Sequence, residues 1–241
     1  MSKEEIMYLR IRNLCGFLGV LLPWVALFSA NLVQPHPSSD WWWSISATYY
    51  LSPALVAVLT PASLVLLCYK GYDIWDELVT TLSGLSGLGI VLFPCNVSWL
   101  DANTLVGFFQ IPMHISHTLH CSFAILFFLM LAINSAFLFT QTGKYGMTSR
   151  KKTRNLIYRI CGFGMVGVEI VFGLSKLTSM PGYLTMVFEI ILLTLFGISW
   201  LVKGEAFPFL NDTQEDIVRL EALKQQKAME DQCHGSSSTD N

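Results

Sequence analysis

Residues 112–139, PMHISHTLHCSFAILFFLMLAINSAFLF, decide how the chain is read. The stretch holds no Asp, Glu, Lys or Arg and exceeds the ~20 apolar residues that a helix needs to cross a hydrocarbon core of roughly 30 Å. Upstream the apolar run begins at Leu105, too long for one untilted crossing. Pro112 resolves it as a first-turn residue, leaving Leu105 to Ile111 as a re-entrant or interfacial approach.

Five similar stretches surround this one. The spans read as 13–33, 49–69, 77–94, 113–138, 155–174 and 183–203. Lipid offers backbone groups no partner outside their own segment, so these are helices. Composition agrees: the 241 residues are 53% hydrophobic and 13% charged, against about 25% charged in soluble domains. The formal net charge of -2 excludes the global basic field expected of a nucleic-acid binder.

Orientation follows from Lys and Arg. With the N-terminus in the cytoplasm, Lys3, Arg10, Arg12, Lys70, Lys144, Arg150, Lys151, Lys152, Arg154 and Lys203 all fall inside, and Lys176 alone falls outside. The predicted fold is therefore all-α: a polytopic membrane protein with six transmembrane helices in one bundle and both termini cytoplasmic. Residues 1–12 form a cytoplasmic segment, 13–203 the membrane domain, and 204–241 a cytoplasmic tail. In that tail Thr213 and Asp216 make a capping-box-like start to a short amphipathic helix, and Gly235 to Asn241 is too polar to order. The membrane it occupies and its oligomeric state are open, a homo-oligomer included.

The joints differ in character. Trp41, Trp42 and Trp43 in the first outer loop read as an interfacial anchor or as a shelf on which a ligand stacks. Asn96, Val97 and Ser98 form a glycosylation sequon close to the membrane. The inner loop from Gly143 to Asn155 is basic, and either pairs with Asp73, Asp76 and Glu77 or binds anionic lipid through Arg150, Lys151, Lys152 and Arg154. Cys15, Cys68 and Cys161 fall inward, Cys121 within a span, Cys233 in the tail and Cys95 outward; most read as packing residues, with acylation of Cys15 or Cys68 as an alternative. Gly162, Gly164 and Gly167 spell a dinucleotide-like motif but lie within a span, where close helix packing explains them, as it does Ser83, Gly84, Gly87 and Gly89.

Ionisable groups inside a membrane are costly and mark functional sites. His114, His117 and His120 open the fourth span, with Glu169 in the fifth and Glu189 in the sixth. At 1.5 Å per residue, His120 lies roughly 12 Å, Glu189 about 9 Å and Glu169 about 8 Å below the outer ends of their helices, so the three share a layer. At about 100° per residue the histidines spread over about 120°, a polar stripe that Ser116 and Cys121 extend. Such a stripe should face Glu169, Glu189 or a wet cavity. Thr48, Tyr49, Tyr50 and Ser52 enter span two at a compatible height.

The segments Ser44–Tyr50, Tyr69–Asp73 and Leu92–Pro94, the His-bearing fourth span, and Phe196–Glu205 together resemble a family of six-helix bacterial membrane proteins whose activity is not established. The likeness covers most of residues 10–205. More distantly, the arrangement is similar to the six-span superfamily of autophagy modulators and GPI-lipid remodelling factors. A His in span four and a Glu in span six recur there. The resemblance implies His114 or His117, and Glu189, as their counterparts.

Three functions follow from the polar layer. One is a lipid-associated or regulatory protein whose outer pocket, formed by His114, His117, His120, Glu169, Glu189, Tyr49 and Tyr50, binds a headgroup without turnover and without a cofactor. A second is a proton-coupled transporter relaying through Glu169 or Glu189. The third is a metal-dependent lipid hydrolase with zinc on His114, His117, His120 and Glu189, although the histidine spacing is not the HExxH signature.

Overall fold

The computed structural model describes residues 3–69, 74–141, 146–178 and 180–237. Lys70, Gly71, Tyr72, Asp73, Gly143, Lys144 and the last tail residues, 238–241, lie outside them. Helix α1, Lys3–Asn31, starts ten residues before the apolar run. Most of the expected N-terminal segment is thus the beginning of the first long helix.

The second apolar stretch does not begin as an α-helix. Ser46–Tyr50 winds as a 3-10 helix, and α2 spans only Ala54–Cys68 behind Pro53. Proline lacks an N–H and disfavours helical backbone at the residue before it, which separates the two segments at Ser52. Helix α3 covers Ile74–Leu92. Beyond it, β1 (Leu105–Val106) and β2 (Ile111–Pro112) pair antiparallel, with Leu105 opposite Pro112. Pro112 therefore closes a hairpin one position before the helix, a correction to its expected place in the first turn. Phe108 and Phe109 at the hairpin tip are exposed.

Helix α4, Met113–Ile133, passes into a wide π turn over Asn134–Leu138. Helix α5, Ser149–Lys176, is capped by Thr148, whose hydroxyl accepts the Lys151 N–H at 3.0 Å. Helix α6 is Leu184–Lys203 and α7 is Gln214–Ser237. At the start of α7, Asp216 accepts from the Thr213 N–H at 2.9 Å and hydroxyl at 2.7 Å, as the capping pattern predicts. The α7 helix runs past Gly235, where disorder was expected to begin.

The first six helices form a closed ring. Each packs on its neighbour in sequence, and α6 packs back on α1. The starts of α1, α3 and α5 meet the ends of α2, α4 and α6 at what we call the basal end; the opposite end is distal. Tyr69, Phe139, Tyr158 and Trp200, each 3% exposed or less, form an aromatic box at the basal end. Small residues set the helix spacing: a Cβ on Gly84 would lie 2.7 Å from the Ser63 carbonyl, and one on Gly87 2.2 Å from the Ser63 hydroxyl. Close packing thus accounts for the glycines of α3.

Among the described residues four helices are long and apolar enough to cross a membrane, within Glu5–Asn31, Met113–Leu138, Ser149–Lys176 and Leu184–Lys203; α2 is apolar but shorter. Exposed large apolar side chains point outward from all six ring helices: Phe28, Leu64, Leu85, Ile125, Phe163 and Ile191 are examples.

Three of the four basic side chains suspected of lipid binding are engaged within the chain. Arg154 pairs with Asp212 at 2.6 Å and donates to the Leu210 carbonyl at 2.6 Å. Arg150 pairs with Asp216 at 3.0 Å and donates to the Asn211 carbonyl at 2.6 Å. Lys151 turns inward and donates to the Phe139 carbonyl at 3.0 Å. Lys152 remains exposed. The loop thus clamps the segment leading into α7, and among the described residues its ion pairs are with Asp212 and Asp216 of the tail.

Candidate functional site

Glu189, on the second turn of α6, is met by a short stretch of the first distal loop. Its carboxylate accepts from the Ser44 hydroxyl at 2.9 and 3.0 Å, the Ser46 hydroxyl at 2.8 Å and the Ile45 N–H at 2.5 Å. A buried carboxylate needs donors for its lone pairs. Here they come from the start of the 3-10 helix, where free N–H groups also favour negative charge. Glu189 is a staple holding the loop against α6.

The histidines point elsewhere. His120 is buried, with Nδ1 2.8 Å from the Phe93 carbonyl and the Ile90 backbone as a second partner, so it faces α3. His114 Nδ1 lies 3.1 Å from the Ala102 carbonyl, within the loop preceding the hairpin. His117 Nδ1 accepts the Asn96 N–H at 3.3 Å, and its ring lies 3.7 Å from Cys121 Sγ. Ser116 donates to the Pro94 carbonyl at 2.8 Å. No hydrogen bond or ion pair joins a histidine to Glu169 or Glu189 among the described residues. His120, Glu169 and Glu189, expected in one layer, do not share a direction. Nor, among those residues, is any group of three or more His, Cys, Asp or Glu placed to hold a metal ion.

Tyr49 and Tyr50 lie in a separate place. With Leu51, Ser52, Pro53 and Val56 they border an open groove of ≈ 400 Å³ at the distal start of α2, where the Tyr50 hydroxyl donates to the Cys95 carbonyl at 2.7 Å. The Trp run is divided: Trp41 packs 4.3 Å from the His36 ring, Trp42 stacks on Tyr183, and Trp43 takes the Met186 N–H on its carbonyl at 2.8 Å. Asn96 is exposed.

A further polar patch at the distal end lies where α4 and α5 face each other. At Gly162 the helices touch: a Cβ there would lie 2.7 Å from Ala136 Cβ and 2.8 Å from the Ala132 carbonyl oxygen. At about 100° per residue, Glu169, Gly173 and Lys176 fall within about 40° of the same face of α5. Yet a Cβ on Gly173 would meet nothing within 4 Å. On α4, Ile125, Cys121, Thr118 and His114 fall within about 40° of the Ala132 face that touches Gly162, and all four are exposed. The helices therefore diverge distally from a pinch at Gly162.

Lys176 stands at the distal end of α5. Its Nζ donates to the Thr185 hydroxyl at 2.9 Å and sits 4.7 Å from the Phe172 ring centre, within electrostatic reach of His117 and Cys121. Glu169 lies about 10 Å below Lys176 along α5. It is half-buried and makes no hydrogen bond or ion pair among the described residues. This face thus offers a cation near the distal end, a carboxyl about 10 Å below it, and an α4 side of His114, Thr118, Cys121 and Ile125 above the Gly162 contact. Gly173 carried no signal in the sequence. Lys176 did: it was the one cation on the wrong side of the charge asymmetry.

No family model matches the chain, and no curated protein or solved structure matches it either. The site therefore rests on geometry alone.

Proposed function

We propose that the chain is a six-span membrane protein with both termini cytoplasmic, and that it binds a lipid of the outer leaflet in the cleft between α4 and α5. The observation that carries this reading is the contrast along one face of α5: Gly162 sealed against α4, Gly173 against nothing. Apolar side chains turned outward on all six ring helices support the bundle in lipid, since a soluble monomer rarely exposes so large an apolar surface. Arg12, Arg150, Lys151, Arg154 and Lys203 at the basal end support its cytoplasmic assignment. Lys176 would meet an anionic headgroup, Glu169 a hydroxyl or amide deeper in the lipid, and acyl chains would line the walls. The likeness to lipid-remodelling six-span proteins is compatible with this chemistry.

Gly173→Leu tests the proposal, because the added side chain enters open space and fills the cleft. Native mass spectrometry of protein released from nanodiscs should show one retained lipid in the wild type and none in the variant, at equal thermal stability. Equal lipid retention in both would refute it. Proton-coupled transport is the second reading, favoured by the carboxyl of Glu169, which has no partner among the described residues. In that case Glu169→Gln would abolish pH-driven flux in proteoliposomes.

A further inference from the structure

At the distal end the turn 40–43 and the loop 96–99 border a small cavity that neither the Glu189 staple nor the proposed lipid cleft uses. Its volume is ≈ 100 Å³, and Asp40, Trp43 and Trp99 are among its walls. The Trp43 N–H donates to the Asp40 carbonyl at 3.0 Å, which closes the turn. The Ser98 hydroxyl donates to Asp40 Oδ1 at 2.8 Å and ties the second loop to the first, and the Ser38 hydroxyl donates to the same oxygen.

Both indoles are fixed in place. The Trp43 carbonyl accepts the Met186 N–H at 2.8 Å, and its ring packs so closely on Gly182 that a Cβ there would collide with it. Trp99 stands edge-on to Tyr50 with 6.5 Å between ring centres, and the Tyr50 hydroxyl donates to the Cys95 carbonyl at 2.7 Å. Side chains held before a ligand arrives lose little freedom when it binds.

The chemistry of the walls selects the occupant. Hydrogen bonds from Ser38 and then Ser98 favour the ionised carboxylate of Asp40, yet among the described residues no Lys, Arg or His pairs with it. The hydroxyls of Ser44 and Ser98, which also border the cavity, already donate to Glu189 and Asp40. Ala47 and Val97 add apolar surface. A metal ion of the calcium class takes several oxygen ligands, and a primary ammonium must find acceptors for three N–H groups. One carboxylate beside two indoles and two aliphatic side chains suits neither. A quaternary ammonium has no N–H to satisfy, spreads its charge over methyl groups, and is attracted by aromatic rings within about 6 Å.

We infer that this cavity binds a quaternary ammonium group, held by the charge of Asp40 and the indoles of Trp43 and Trp99. At ≈ 100 Å³ it has room for one such head and not for a drug-sized ligand, which takes about 300–1,000 Å³. The group belongs to the choline headgroup of a lipid or to a free quaternary ammonium ion, and these sources separate experimentally. The site is independent of the α4–α5 cleft, so Gly173→Leu should leave it intact.

Purified full-length protein in dodecyl maltoside is titrated with tetramethylammonium chloride, choline chloride and dioctanoyl phosphatidylcholine, with sodium chloride at matched ionic strength as the reference. Tryptophan fluorescence and thermal unfolding are followed. Saturable changes with tetramethylammonium and choline, absent with sodium, are expected. The lipid is titrated in Gly173→Leu, which excludes the α4–α5 cleft: half-saturation below that of choline identifies a lipid headgroup, and half-saturation at or above it identifies the free ion. Asp40→Asn and Trp99→Leu should each weaken choline binding by about 10-fold. Trp42→Leu, whose ring stacks on Tyr183, should leave it unchanged. Should Asp40→Asn fail to fold, Trp99→Leu decides the matter. The inference is overturned if neither quaternary ion gives a saturable change beyond that of sodium, if the folded cavity variants bind like wild type, or if Trp42→Leu loses as much as Trp99→Leu.

Discussion

Gly162→Ala and Gly173→Ala make the same chemical change on one face of α5 and should have opposite effects. At Gly162 the new Cβ would stand 2.7 Å from Ala136 Cβ and 2.8 Å from the Ala132 carbonyl oxygen and Ala136 nitrogen. Comfortable carbon contacts are about 3.5–4.0 Å, so α4 must retreat by about 1 Å. Two of the three atoms are backbone and the third is a methyl, so no side-chain rotation relieves the overlap. Overpacking costs about 1–3 kcal/mol, while alanine over glycine in a helix returns about 0.8–1.0 kcal/mol. Gly162→Ala should therefore destabilise by up to about 2 kcal/mol. At Gly173, with nothing within 4 Å, only the favourable term remains, a gain of about 0.5–1 kcal/mol. Unfolding in mixed micelles by added SDS, followed by tryptophan fluorescence, reads both. If the two variants move together in either direction, α4 and α5 do not diverge, and the cleft is lost with them.

Glu189→Gln turns an acceptor-only group into one bearing two donors, and the Ile45 N–H facing it cannot reverse. A loss of about 1–3 kcal/mol is expected, with faster chymotryptic cleavage at Trp41 to Trp43; cleavage at the wild-type rate counts against the staple. Asp212→Asn removes the Arg154 ion pair and should release the segment into α7, raising hydrogen exchange over residues 208–216 at a stability cost of about 1 kcal/mol, discounted for partial exposure. Unchanged exchange would mean that the clamp does not hold the tail. Hydrogen bonds from Ser38 and then Ser98 hold the Asp40 carboxyl below its usual range. They favour the ionised form, so the loop link is intact above about pH 4 and is lost as pH falls through the lowered value. Trp43 and Trp99 line a small cavity of ≈ 100 Å³ beside Asp40 and should report an acid fluorescence change. The same change in Asp40→Asn would assign it to another group.

Helices were legible wherever burial demanded a long apolar run, and illegible where one residue redirected the backbone. Pro53 removes the first turn from α2, and the 105–112 hairpin occupies what reads as continuous apolar sequence. The polar layer shows the same division. Depth along a helix is a local property at about 1.5 Å per residue, so His120, Glu169 and Glu189 could be assigned one height. Direction is not local, because it depends on which neighbour supplies the donor or acceptor. His120 found the end of α3, and Glu189 found Ser44 to Ser46. A buried carboxylate requires donors, and two serines flanking an N–H at a helix start are such a set; that signal was present in Ser44, Ile45 and Ser46 but could be matched to Glu189 only by proximity. Glu169 has no partner among the described residues, and it shares its face of α5 with Gly173, where a Cβ would meet open space. Where a costly group is satisfied internally, its cost is explained by the fold. At Glu169, which makes no hydrogen bond or ion pair among the described residues, the fold leaves the cost unexplained, and that is why the proposed lipid site is placed there.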